Sequence, residues 1–157
     1  CSKDHEAMVT LEEITSDNIH AVLALEVAEE QKATYPRSNA YSIAEGLFPP
    51  DDDPVWMRAI CNEDEPVGFI MTSELPDNGD YFLWRMMIDR RYQGQGYGAE
   101  AMRLLIKRIK DNGNPHMMLL SHLNDNVEDG RFYENFGFSN TVNDSGGNEL
   151  EMMLRFD

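Results

Sequence analysis

Apolar positions along this chain follow two rhythms, and the switch between them marks its elements. Behind Ser16 or Asp17 as an N-cap, Ile19, Val22, Leu23 and Leu25 to Val27 form a helical stripe, which predicts a helix through "TSDNIHAVLALEVAEEQ". "SNAYSIAEGLF" predicts a second short helix, stopped by Pro49, Pro50 and the acidic run Asp51 to Asp53. In "GAEAMRLLIKRIKDNG", Met102, Leu105, Ile106 and Ile109 line one helical face and Gly113 ends it. "NVEDGRFYENFGF" predicts a last short helix closing at Gly137. Strands are predicted at "MVTLEEI", "VWMRAICN", "PVGFIMTSEL", "DNGDYFLWRMMID", "HMMLLSHL" and "NELEMMLRF", with "EDEP" a turn. Strands outnumber helices, and the two alternate in the second half. The class expected is α/β or α+β around one mixed sheet.

At 157 residues, residues 1–157 are expected to form a single domain with a core that needs no staples. "CSKDHEA" at 1–7 reads as a remnant or a disordered start, the true start lying upstream or at Met8. Met86, Met87, Met117, Met118, Met152 and Met153 fall in predicted strands, as core filler does.

Charge narrows the partners. A net charge of -16 argues against nucleic acid or an anionic membrane and favours a cationic ligand. No stretch approaches the roughly 20 apolar residues of a membrane span. Only Cys1 and Cys61 are present, which gives no disulfide framework and fits a reducing cytoplasm. His5, His20 and His116 lack metal-ligand spacing, so no metal is expected.

Gly94, Gly96 and Gly98 stand at alternate positions in "RRYQGQGYGAEAM", just before the third helix. Glycine is costly there unless the backbone must approach something closely. Gly94, Gly96 and Ala99 formally fit the dinucleotide fingerprint G-x-G-x-x-[G/A]. The acidic residue it wants about 20 positions on is missing from "HMMLL", and no Lys-Ser or Lys-Thr follows to make a P-loop. A pyrophosphate cradle on the first amides of the helix fits better, with a ligand-free tight turn as the bland alternative. Arg85, Arg90, Arg91, Arg103, Lys107, Arg108 and Lys110 all lie on this strand, loop or helix, which suggests positive charge gathered at the turn.

These residues resemble a known family. "QGQGYG", Gln93 to Gly98, looks like the Q/R-x-x-G-x-G/A signature of GCN5-related N-acetyltransferases (GNAT), with Gln93, Gly96 and Gly98 in place. "NVEDGRFYENFGF" resembles the second signature through Asn126, Phe132, Tyr133, Gly137 and Phe138, with Asp129 replacing a small residue. The resemblance implies a V-shaped mixed sheet flanked by helices, with acetyl-CoA lying where two strands splay. Gln93, Gly94, Gln95, Gly96, Tyr97 and Gly98 would hold its pyrophosphate, and the backbone of Met87 and Ile88 would pair with its pantetheine arm. Asn126 would bond that arm, and Tyr133 would also lie at the coenzyme as the general acid for the departing thiolate. The resemblance leaves a homodimer open.

"EEQKATYPRSNAYSIAEGLF" resembles bacterial polyamine (spermidine/spermine, diamine) acetyltransferases through Glu30, Gln31, Asn39, Ser42, Ala44 and Glu45. It implies direct transfer of acetyl to a polyamine amine. Residues 1–66 hold 15 acidic against 4 basic residues, as a polycation site would want. Glu26, Glu30, Gln31, Ser42 and Glu45 are the expected substrate-binding residues, with Glu26, Glu29, Glu30 and Glu45 on two helices lining the acceptor groove. The strand before the glycines reads Trp84 and Arg85 where several relatives carry a catalytic Glu. The base stays open between Glu26 or Glu30 through water and His122, and Cys61 is expected to be a buried strand residue. Another amine (a protein N-terminus, an aminoglycoside or an amino acid) and a non-catalytic acetyl-CoA-binding module are the alternatives.

Overall fold

The computed structural model describes residues 8–32, 38–123, 127–144 and 149–156. One mixed sheet organises them. Its strands are β1 (Val9–Glu12), β2 (Val55–Asn62), β3 (Glu65–Leu75), β4 (Asp80–Ile88), β5 (Met117–Leu123), β6 (Ser139–Asp144) and β7 (Glu149–Arg155), in the order β1-β2-β3-β4-β5-β7-β6. Every neighbouring pair is antiparallel except β4 with β5. That parallel pair joins only at Asp80–Phe82 with Met117–Leu119. Beyond Phe82 the two strands part, which gives the α/β mixed sheet its splay and leaves the second half of β4 with an open edge.

Each face of the sheet has its own core. On one face α3 (Tyr97–Asp111) lays Ala101, Met102, Leu105 and Ile109 on Ile60, Ile70, Leu83, Met118 and Met152. On the other, Val22 of α1 (Ile19–Leu23), with Leu25 and Val27, packs on Ala59, Phe69, Met71 and Met87, and Ile43 of α2 (Asn39–Leu47) adds to it. β3 is buried on both sides, so it reads as a continuous apolar run rather than an alternation.

A bulge in β4 decides which side chains face which core. Met71 pairs with Arg85 but Thr72 pairs with Leu83, so Trp84 is an extra residue. One inserted residue exchanges the faces of all that follow. Tyr81 and Leu83 lie in the α3-side core, whereas after Trp84 it is Met86 and Ile88 that pack there. Met87 joins the opposite core.

α2 and α3 occur where the pattern predicts them. Ser38 caps α2 by accepting from the Tyr41 N–H at 3.1 Å. The first helix differs. It ends at Leu23, and its N-cap is Asn18 rather than Ser16 or Asp17. Leu25 and Val27 are both buried, with exposed Glu26 between them, so the chain here follows period two. Strand β6 was not predicted at all, because "SNTVND" is composed largely of turn-forming residues. Among the described residues no helix is long and apolar enough to cross a membrane.

Candidate active site

The end of β4 leads directly into the glycine turn. Asp89 caps the single helical turn Arg90–Tyr92, Gln93 is extended, and Gly96 is the left-handed N-cap of α3. Gly94 and Gly96 have φ of +77° and +86°, values that side chains disfavour. A Cβ built on either would meet nothing within 4 Å. Glycine is required here by the sign of φ, and the space before the turn is open to a ligand. Gly98 is different: a Cβ there would make ordinary contacts at 3.6–3.7 Å with Ile88, Met86 and Phe132. No side chain caps the first turn of α3, whose N–H groups begin at this turn, and helix ends of that kind accept anions.

The expected gathering of positive charge is only partly realised. Lys107, Arg108 and Lys110 lie in the later turns of α3, roughly 15 Å or more from Gly96 at the helical rise. Arg108 and Lys110 there complement the C-terminal end of the helix dipole. Arg108 is bound by Glu74 through both terminal nitrogens, at 2.7 and 3.0 Å, and stacks on Trp56 at 3.9 Å. Arg85 turns to α2, where its guanidinium meets Glu45 at 3.0 Å. Arg103 pairs with Glu100. Arg90 and Arg91 remain at the turn itself. A separate groove of about 370 Å³ between β1, β2 and α3 is lined by Val9, Leu11, Trp56, Arg58, Leu104 and Arg108.

The alternation of an antiparallel ladder assigns the backbone groups of β4. Asp89 N–H bonds Val67 C=O at 2.8 Å while Gly68 faces Ile88, so Ile88 is a non-hydrogen-bonded partner of β3. Ile88 and, two residues back, Met86 therefore turn their N–H and C=O to the open edge. Met87, expected beside Ile88 in the coenzyme site, turns its own toward β3 and its side chain into the core. Gln93 reaches back to this edge, its Nε2 donating to Ile88 C=O at 2.9 Å and to Gln31 Oε1 at 2.6 Å. Gln95 is exposed, and the Tyr97 hydroxyl accepts from Asn62 Nδ2 at 3.1 Å.

Tyr133 lies on α4 (Val127–Glu134), half-buried among Phe132, Phe138 and His122, with ring centroids 5.3, 5.8 and 6.4 Å away. The tip of Phe132 approaches Gly98, so α4 sits over the start of α3 and the end of β4. His122 of β5 fills the space that Gly130 of α4 leaves empty, since a Cβ there would lie 3.4 Å from His122 Cε1. Asn126 lies outside the described residues, as do residues 1–7.

The acceptor-side residues are placed unevenly. Glu26 and Glu30 are exposed, but on an irregular segment and a single helical turn (Glu29–Gln31) instead of a helix. Glu29 pairs with Lys32. Glu45 is engaged by Arg85, so its charge is already balanced. Ser42 is fully buried rather than open to a ligand. Asn39 is buried beside it, its Nδ2 donating to Val22 C=O at 2.9 Å and tying α2 to α1.

The sequence reading gave Asp89 no role, although an acidic residue directly after an apolar strand and before "RRY" was a visible cap signal. Burial opposes its charged form. The hydrogen bonds from Glu26 N–H and from the Arg91 side chain and N–H outweigh that, and hold its carboxyl below the usual range. Met86 was also missed, because its outward backbone follows from the pairing register alone.

Cys61 is 1 % exposed, and burial first, then Glu12, pushes its thiol up to about 12. Thiolate is the reactive form. Cys61 should therefore resist iodoacetamide at pH 8 in the folded chain and react once urea unfolds it, as site-resolved mass spectrometry would read. Rapid alkylation of the folded chain at Cys61 would contradict this burial.

The sequence matches the acetyltransferase (GNAT) family over residues 13–138. It is 29% identical over 136 residues to a spermine/spermidine N(1)-acetyltransferase of Bacillus subtilis strain 168, which spans 83% of this chain and 87% of that protein. The fold is similar to the ribosomal-protein-S18-alanine N-acetyltransferase from Escherichia coli, with a TM-score of 0.70, 16% identity and 94% of each chain covered. It is also similar to the PaiA N-acetyltransferase from Thermoplasma acidophilum in complex with coenzyme A. There the TM-score is 0.69 and the identity 16%, over 94% of this chain and 99% of that one.

Proposed function

This chain is an N-acetyltransferase of the acetyltransferase (GNAT) family, and from that premise we propose that it moves the acetyl group of acetyl-CoA onto a primary amine of a polyamine such as spermidine or spermine. One observation carries the donor half: two left-handed glycines leave the approach to the start of α3 clear of side chains, beside the edge of β4 that has parted from β5. The residues fit the coenzyme. Amides from Gly94 to Gly98 would take its diphosphate, and Ile88 would meet the pantetheine arm on the open edge. Asn126 is proposed to bond that arm as well. Acetyl-CoA brings an activated thioester.

The protein's own work follows from charge and position. The outward N–H of Met86 would be the donor for the acetyl carbonyl oxygen as negative charge builds there, as a fixed donor at a developing oxyanion lowers the barrier. A tyrosine hydroxyl keeps its proton at neutral pH, so Tyr133 could hand it to the leaving sulfur, while the attacking ammonium would first give up its own proton to Glu26 or Glu30 through water, or to His122. On the acceptor side Glu26 and Glu30 attract the cationic amine. They offer exposed carboxylates, whereas Glu29 is ion-paired with Lys32 and Glu45 with Arg85.

A second reading rests on Arg85. Its guanidinium is paired with Glu45 on the α2 side of β4, and an amine that carries its own carboxylate, such as a peptide or an amino acid, would have to take the place of Glu45 there. Thiol release with spermidine, spermine, a short diamine, a free amino acid and a peptide with a free N-terminus separates the two. The polyamine reading predicts kcat/KM for spermidine or spermine at least about tenfold above the others, roughly the worth of one well-placed ionic contact. A preference for the peptide or amino acid would replace it with the second reading.

A further inference from the structure

We propose that Asp89 is a positioning residue, which clasps the acceptor segment Glu26 to Gln31 onto the coenzyme loop Asp89 to Gln93 and so sets where the amine is held. The inference rests on the acetyl-transfer reading of the two sites. The clasp itself is written in hydrogen bonds between segments more than 60 residues apart.

Asp89 is 2 % exposed. Its Oδ1 accepts from the Glu26 N–H at 2.7 Å, and its Oδ2 accepts from the N–H and Nε of Arg91 at 3.0 and 2.9 Å. The Arg90 N–H in turn donates to Glu26 C=O at 2.8 Å. Both sides of the Glu26 backbone are thus gripped by two consecutive residues of the coenzyme loop. A second stitch lies further along both segments, where Gln93 Nε2 donates to Gln31 Oε1 at 2.6 Å. Gln31 Oε1 also accepts from the Ala28 N–H at 3.2 Å, which closes the short turn carrying Glu29 and Glu30.

The acceptor segment needs such a clasp. From Leu25 to Ala28 it belongs to neither a helix nor a strand, so no ladder of its own fixes it. Leu25 and Val27 bury their side chains, but apolar packing is non-directional and does not set the rotation of the intervening peptide. Hydrogen bonds to a buried carboxylate do, being short, strong and directional. The exposed Glu26 side chain therefore projects from a backbone whose orientation Asp89 dictates. Gln93 adds a link between sites, because its Nε2 also holds Ile88 C=O on the open edge of β4.

The test compares Asp89→Ala, Asp89→Asn and Gln93→Met by steady-state kinetics, using whichever amine the wild type prefers. Asp89→Ala should raise KM for the amine about tenfold or more, the cost of losing a charged hydrogen bond, and should raise KM for acetyl-CoA, whose loop Asp89 also caps, by a clearly smaller factor. Asp89→Asn should recover most of that loss, since an amide oxygen still accepts from Glu26 N–H. Gln93→Met, although placed on the coenzyme loop, should also raise KM for the amine, and it keeps the idea testable should Asp89→Ala fail to fold. Equal shifts of both KM values, or an unchanged amine KM in Asp89→Ala or, where that variant does not fold, in Gln93→Met, would overturn the clasp. An incorrect choice of polyamine would show instead in the wild-type amine preference, and absent turnover with every amine would count against acetyl transfer itself.

Discussion

Tyr133→Phe should lower kcat by about 10²-fold or more, the usual worth of a general acid, with KM for both substrates changing little. The ring of Tyr133 packs edge-on against Phe132 and Phe138 and tilted against His122, and phenylalanine preserves all three contacts. The variant should therefore unfold within about 1 kcal/mol of the parent, as a substitution that conserves shape does. Thiol release and a urea titration on the same preparation separate chemistry from folding. A turnover equal to the parent's would remove Tyr133 from proton transfer.

Gly96→Asn should weaken coenzyme binding by on the order of 10²-fold while leaving the protein folded. The backbone at Gly96 is left-handed, and asparagine tolerates that region better than other side chains do. A Cβ there points into open space, where the diphosphate is proposed to sit, and strikes no part of the core. Gly96→Val would block the same space but add about 1–2 kcal/mol of backbone strain, so its failure would be harder to read. Gly98→Ala is the internal comparison. Its Cβ makes ordinary contacts, and exchanging a helical glycine for alanine contributes up to about 1 kcal/mol of stability. Calorimetric titration with coenzyme A should rank Gly98→Ala near the parent and Gly96→Asn far below it. Equal affinities would mean that the glycine turn is only a turn.

Much of this architecture was legible in the sequence because local physics wrote it there. The buried stripe of α3 is the one its apolar spacing marks, and Ser38 stands where a capping residue should. The glycine turn was visible because alternate glycines before a helix have few other uses. What stayed hidden depends on contacts distant in sequence. The stretch after Leu23 carries apolar residues that satisfy both a helical and an extended period, and the Glu26 N–H that a longer helix would use internally is instead bonded to Asp89, about 60 residues on. The bulge at Trp84 is a matter of register between two strands, yet it determines that Ile88 rather than Met87 faces the open edge. Charge misled in the same way. Basic residues clustered along the sequence of α3 are spread along its axis in space, and Arg108 is held by Glu74. Glu45 looked like a substrate carboxylate because nothing in its neighbourhood reveals Arg85, 40 residues away.

The shortest route to the central claim is a titration of the ¹⁵N-labelled protein with coenzyme A, read as amide shifts. Main-chain N–H groups at the head of α3 should move most, from Gly94 to Gly98, followed by Ile88 on the strand that leads there. Saturable binding whose largest shifts fall elsewhere, such as around Trp56 and Arg58, or no binding at all, would contradict it.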